Sequence, residues 1–175
     1  MNLGIIGCGH WGYNHLRSFY HLPDCFVLMC SDINKERLQA IKESYPQIEV
    51  CQNYQEVIKN PKIDALVIAT PTSTHYQITK DCLLNNKDVL CEKPLCTSMS
   101  EANELLSIAE KKQRILMVGH IFMFNESIKK LKEYIENNEL GEIYYLQATR
   151  TNLGPIRNDA NVVWDLATHD VSIFL

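Results

Sequence analysis

Glycine and proline are scarce in this 175-residue sequence, 7 and 6 of them, and no Pro/Gly/Ser-rich linker or internal repeat is present. That scarcity excludes collagenous and low-complexity classes, and 46% apolar with 22% charged residues is the composition of a folded globular chain. Basic excess is also missing: 17 Lys and Arg stand against 21 Asp and Glu, a net charge of −4, which argues against a nucleic-acid partner. No apolar run is long enough to span a bilayer, so no membrane partner is expected. Met1 leads directly into an apolar strand pattern, without the basic stretch and cleavage site of a secretory leader. The seven cysteines are odd in number and contain no Cys-x-x-Cys pair. A disulfide framework and a structural metal site therefore find no support, and reduced core thiols in a cytoplasmic protein are expected.

What is present is a regular alternation of strand and helix. Apolar runs at Leu3 to Ile6, Phe26 to Cys30, Ile48 to Cys51, Ile63 to Ala69, Asp88 to Cys91 and Ile115 to Val118 read as six strands. Between them, Trp11 to His21, the charged stretch capped by Asn34, Tyr54 to Ile58, Thr74 to Leu84 and a stretch opened by Ser100 read as helices. Short strands that are apolar throughout, each followed by a helix, belong to a parallel sheet covered on both faces. The fold class is therefore α/β, a doubly wound parallel Rossmann sheet. Residues 1–120 form this domain. From residue 121 to 175 the pattern changes to a lysine-bearing amphipathic helix, an expected strand at Glu142 to Thr151, a polar loop and a final helical stretch. This second part reads as the opening of a truncated α+β domain.

Five motifs carry chemistry. Gly7-Cys8-Gly9-His10-Trp11-Gly12 is a G-x-G-x-x-G between the first strand and the first helix. Its glycines allow a tight turn, close approach of a pyrophosphate and close packing of the helix. Asp32 follows 20 residues after Gly12, where an acidic side chain binds the adenosine ribose and repels a 2′-phosphate. NAD is thus favoured over NADP, although Lys35 and Arg37 lie nearby. Thr70-Pro71-Thr72-Ser73-Thr74-His75 occupies the carboxyl end of the fourth strand, the ligand-binding edge of an open α/β sheet, where Ser73 or Thr74 can also simply cap a helix. Glu92-Lys93-Pro94 ends the fifth strand, and a lysine facing the cofactor crevice suits proton transfer or alkoxide stabilisation. Asp165 and His169 are four apart and share a helix face, as a general base and its orienting carboxylate would; an ordinary surface pair or a metal pair has the same spacing. Arg150, Asn152 and Arg157 surround a Gly-Pro turn, where arginines can hold an anionic group or stand in a solvated loop.

In this order, the glycine motif, Thr70 to His75 and Glu92-Lys93-Pro94 resemble the Gfo/Idh/MocA oxidoreductases, a Rossmann domain joined to a larger domain with an open antiparallel sheet. The resemblance covers the whole chain but about half of a typical member. It implies that Gly7, Gly9, His10, Trp11, Gly12, Asp32, Thr70, Pro71, Thr72, His75, Glu92 and Lys93 bind the cofactor NAD. It also implies that Lys93, Asp165 and His169 are catalytic, and that the Lys93–Pro94 peptide is cis. Gly9 to Gly12 with its aromatic, Trp164-Asp165-Leu166-Ala167, and the loop carrying Arg150, Asn152 and Arg157 look like the branch that oxidises the 3-hydroxyl of UDP-N-acetylglucosamine or its uronic acid. The expectation is an NAD-dependent dehydrogenase acting on a nucleotide sugar, with no metal and a homo-oligomeric full-length form. The competing expectation is a truncated NAD-binding module without catalysis of its own. In either case the second part would expose apolar surface and favour self-association.

Overall fold

The structure, a computed structural model, describes residues 1–151 and 161–175. They fall into two compact units, Met1–Val118 and Gly119–Leu175.

The first unit is a six-stranded, wholly parallel sheet: β1 (Asn2–Ile6), β2 (Phe26–Ser31), β3 (Glu49–Cys51), β4 (Ala65–Ile68), β5 (Asp88–Cys91) and β6 (Leu116–Val118), in the order β3-β2-β1-β4-β5-β6. The chain winds outward from β1 in one direction and then from β4 in the other, so the strand order reverses between these two. That reversal opens a crevice at their carboxyl ends. Helices α1 (His10–Tyr20), α2 (Lys35–Ser44), α3 (Tyr54–Lys59), α4 (Thr72–Leu84) and α5 (Met99–Lys112) connect the strands.

Alternation along each strand sorts the core into two layers. Leu3, Ile5 and Val67 meet Leu16 of α1 and Leu38 and Ile41 of α2. Ile6, Leu66 and Ile68 meet Val57 of α3, Ile78 and Leu83 of α4 and Leu105 of α5. Each such side chain contributes roughly 1.5–3 kcal/mol when removed from water. The thiols join these layers: Cys8, Cys30, Cys82, Cys91 and Cys96 are buried, and burial pushes the Cys91 thiol up to about 12. They act as small hydrophobes in the core.

Helix α2 starts as the sequence indicates, with the Asn34 carboxamide oxygen accepting the N–H groups of Glu36 and Arg37. Helix α4 does not. It begins at Thr72 with Pro71 as its cap residue, and the Thr74 hydroxyl donates back to the Pro71 carbonyl, so neither Ser73 nor Thr74 caps it. A proline already fixed near helical φ opens the helix without a side-chain acceptor. Helix α5 likewise starts at Met99, one residue before Ser100, and Glu104 further along it pairs with Lys80.

The second unit holds a 3-10 turn (Ile121–Phe124) and α6 (Glu126–Glu136), capped by Asn125 through the N–H groups of Ser127 and Ile128. Glu142 to Thr151, expected as a strand, forms no regular element, and Tyr144 and Tyr145 are about four-fifths exposed. Strand propensity is realised only when a neighbouring strand supplies ladder partners, and none of the described residues does so here. The unit ends in a π-helical turn (Val163–Ala167) running into α7 (Thr168–Phe174). Among the described residues no helix is long and apolar enough to cross a membrane.

Candidate functional site

The glycine turn follows β1. Gly7 has φ +90°, and a Cβ there would stand 2.6 Å from the Ala69 carbonyl oxygen. A Cβ on Gly12 would lie 1.8 Å from the Gly7 carbonyl oxygen, so any side chain at this position in α1 collides with the turn itself. Gly9 is different: its missing Cβ would meet only Arg37, at 3.6 Å. The space over Gly9 is therefore open to a ligand at the N-terminus of α1, where no side chain caps the helix and His10 and Trp11 stand exposed as an edge-to-face pair. Backbone donors and the helix dipole at such a place favour a pyrophosphate.

Asp32 closes the other side. It is 7% exposed; its Oδ2 accepts the Cys8 N–H at 2.7 Å and faces Arg37 Nη1 at 3.4 Å, while Oδ1 accepts the Asn34 N–H at 2.8 Å. The carboxylate thus fixes the glycine turn as well as presenting lone pairs to the crevice, since an ionised carboxylate has about four acceptor positions. An open Gly9, an anchored acid and a free helix start fit NAD.

Across the crevice lie the loops after β4 and β5. His75, 1% exposed on α4, reaches the Thr70 carbonyl with Nε2 and the Pro94 carbonyl with Nδ1, each at 2.8 Å. Thr70, Pro71, Thr72, Glu92 and Lys93 are brought to this same carboxyl edge by the parallel register of β4 and β5. The Lys93–Pro94 peptide is cis, as the resemblance implies. Glu92 Oε1 accepts a hydrogen bond from His15 Nε2 on α1 at 2.7 Å. Burial works against the Glu92 carboxylate, but His15, the Lys93 N–H and the Lys93 charge outweigh it and hold its pKa below the ordinary glutamate value. His15 is a residue that sequence reasoning passes over; its place three positions after Gly12, facing the crevice side of α1, is the only trace of its role in the sequence.

The second unit assembles its own cluster. Asp165 sits on the π-helical turn and His169, buried, on the first turn of α7. The His169 ring meets Phe122 edge-on at 4.9 Å between centroids, and the Arg150 guanidinium lies 4.7 Å over the Phe122 ring. Arg150 Nε is 2.8 Å from both carboxylate oxygens of Asp170. Phe122 and Asp170 are thus positioned with the predicted Arg150 and His169, although nothing in the sequence singles them out. A π-helical turn inside a helix is rare and frequent at functional sites. Asn152 and Arg157 lie outside the described residues.

Residues 1–120 match the Gfo/Idh/MocA oxidoreductases, described as an oxidoreductase family with an NAD-binding Rossmann fold. Myo-inositol 2-dehydrogenase of Thermotoga maritima is 29% identical over 175 residues, covering 97% of this chain and 52% of that protein. An NAD-binding protein from Listeria innocua superposes with a TM-score of 0.89 at 24% identity, over 99% of this chain and 53% of that one. Scyllo-inositol dehydrogenase of Lactobacillus casei, solved with bound NAD(H) and scyllo-inositol, gives a TM-score of 0.75 at 19% identity, over 81% of this chain and 42% of that one. These two structural likenesses show a shared fold. The chain spans about half the length of the curated relatives it matches. With the glycine turn, the anchored Asp32 and the doubly wound sheet already in place, the family match settles the assignment: the chain belongs to the Gfo/Idh/MocA family of NAD-binding oxidoreductases.

Proposed function

We propose that the chain carries the cofactor half of a dehydrogenase that oxidises a secondary hydroxyl on a polyhydroxylated ring. One observation supports this above the others: Lys93 stands half-buried at the carboxyl edge of the sheet, beside the crevice that Gly9 leaves open. NAD, when bound, accepts a hydride from the ring carbon. The residues of this chain supply the rest. Lys93 stabilises the developing alkoxide with its ammonium group, His169 takes the hydroxyl proton, and Asp165 orients His169 and stabilises its protonated ring. His10, Trp11, Thr70, Pro71, Thr72 and Glu92 shape the cofactor's surroundings, with the glycines on its pyrophosphate and Asp32 on its ribose.

For the substrate, an uncharged cyclitol is the first reading. Two of the three relatives named above are inositol dehydrogenases, one of them with scyllo-inositol bound, and Arg150 already spends its Nε on Asp170. A nucleotide sugar is the second reading, carried by the aromatic Trp11 in the glycine turn and by the arginine loop with Asn152 and Arg157. The chain of 175 residues acting as an NAD-binding module without turnover is the reading from a different class.

The near-ultraviolet absorbance of NADH separates the three, measured with inositols and UDP-sugars on this chain and on any longer form its reading frame encodes. NADH formation with inositols supports the first reading, formation only with UDP-sugars the second, and NAD binding without turnover in every form the third. Where turnover is found, Lys93→Met and His169→Ala each lower kcat by about 100-fold or more while NAD affinity stays within a few-fold. Unchanged kcat in Lys93→Met contradicts the proposed role.

A further inference from the structure

The segment Glu92-Lys93-Pro94 is held on both flanks by a histidine, and each histidine comes from a different helix. On one side His15, five residues into α1 from its start at His10, donates Nε2–H to Glu92 Oε1 at 2.7 Å. Both side chains are largely enclosed, 19% and 12% exposed, so this pair is shielded from the screening that makes surface ion pairs weak. The stacked ring of Phe19, at 6.1 Å, limits the motion of His15 from behind. On the other side His75, 1% exposed, spans the Pro94 carbonyl and the Thr70 carbonyl at 2.8 Å each. The backbone adds a third tie, as the Glu92 N–H donates to the Ile68 carbonyl at 2.9 Å.

We infer that His15 and His75 are positioning residues that fix Lys93, and that His15 couples Lys93 to the glycine turn through α1. Neither histidine needs to touch a reacting atom. Lys93 has a long, flexible side chain, and its ammonium can act at one place only if the backbone beneath it is fixed. His15 and His75 grip the residues immediately before and after it. Helix α1 is also the helix whose start faces the open space over Gly9, so a ligand that settles α1 also settles the His15–Glu92 bond. Coupling of this kind is reciprocal: loosening Glu92 weakens NAD binding, and NAD binding moves the surroundings of Lys93.

The inference rests on the proposed role of Lys93 for its meaning, but its test reads Lys93 without turnover. Reductive methylation of the 175-residue chain with isotope-labelled formaldehyde gives each lysine a methyl resonance, and Lys93→Arg assigns the one that belongs to Lys93. In the parent the Lys93 resonance shifts on addition of NAD. In His15→Ala and His75→Ala it is displaced before NAD is added and loses most of its response, while resonances of Lys112 and Lys130 stay in place. The NAD dissociation constant rises roughly fivefold or more in His15→Ala. His15→Gln, which keeps a donor, restores part of both effects, which loss of packing alone does not explain. If an alanine variant fails to fold, shown by collapse of all lysine resonances, Glu92→Gln is read instead: it keeps the shape and weakens only the charge of the His15 bond. A displaced Lys93 resonance there supports the inference. An unmoved Lys93 resonance with unchanged NAD affinity in the folded variants overturns it. Retained turnover in Lys93→Met together with a displaced resonance would defeat the proposed function and leave the positioning intact; lost turnover with an unmoved resonance would do the opposite.

Discussion

Glu92 shows how one side chain can serve the fold and the crevice together. Its carboxylate is mostly enclosed, a costly place for charge, and it is ionised there because His15 donates to it and Lys93 stands beside it. Its folded pKa is lower than its unfolded one, so the stability it contributes is present above the ordinary glutamate value of 4.5 and is lost as pH falls through the depressed folded value. Replacing it with glutamine removes that titration. Urea midpoints measured from neutral pH down to about pH 3 should therefore fall more steeply below 4.5 in the parent than in Glu92→Gln, with parallel behaviour above. Parallel curves throughout would mean that the pair with His15 is not made in solution. The sequence presents Glu92 plainly, as an acid at a strand end, but not its partner: His15 lies 77 residues away, and a pair at that separation has no local signature.

At the level of elements, the strands and their helices were legible because the central strands β1 and β4 are almost wholly buried and read as short apolar runs, while the edge strands β3 and β6 are only partly covered. The strands also stand at the ends of helices whose starts carry asparagine caps or glycines, as at Asn34 and Gly9. Legibility failed where context decides. Helix α4 starts at a proline instead of the Ser or Thr that local rules favour. Glu142 to Thr151 has the tyrosines and branched residues of a strand, yet propensity alone forms no ladder. Final helical spacing was legible, but the π-helical turn within it was not, since a five-residue turn is too short to set a period of its own. The glycine turn allows a sharp contrast between elements. Gly12→Ala places a methyl 1.8 Å from the Gly7 carbonyl oxygen, so the turn or α1 must shift, at a cost of at least about 3 kcal/mol. Gly141→Ala meets nothing within 4 Å and costs only its positive φ of +70°, about 1 kcal/mol. Thermal unfolding of the two variants checks this order, and NAD affinity should collapse in Gly12→Ala alone. Equal melting temperatures would contradict the packing of α1 against the turn.

On the scale of the whole molecule, the described residues divide into two unequal units. Met1–Val118 has a two-layered core on a six-stranded sheet and contains the glycine turn, Asp32, the Thr70 loop and Lys93. Gly119–Leu175 has α6 with no buried residue, exposed tyrosines at 144 and 145, and the cluster of Phe122, Arg150, His169 and Asp170. The residues proposed to hold the cofactor therefore all lie in the first unit. The NAD-binding family was visible from glycine spacing and the acid 20 residues on, because a dinucleotide-binding turn constrains those positions in general. Substrate identity was not visible, because it depends on a few side chains in loops whose spacing fits many polar ligands. The proposal that residues 1–118 suffice to bind NAD, with Asp32 selecting against a 2′-phosphate, meets its most direct test in a calorimetric titration. The 175-residue chain and a 1–118 form would each be titrated with NAD and with NADP. Saturable one-to-one NAD binding of similar affinity is expected in both, with NADP weaker by about tenfold or more and the gap narrowed in Asp32→Ala. Absence of saturable NAD binding in the whole chain, or a preference for NADP, would contradict it.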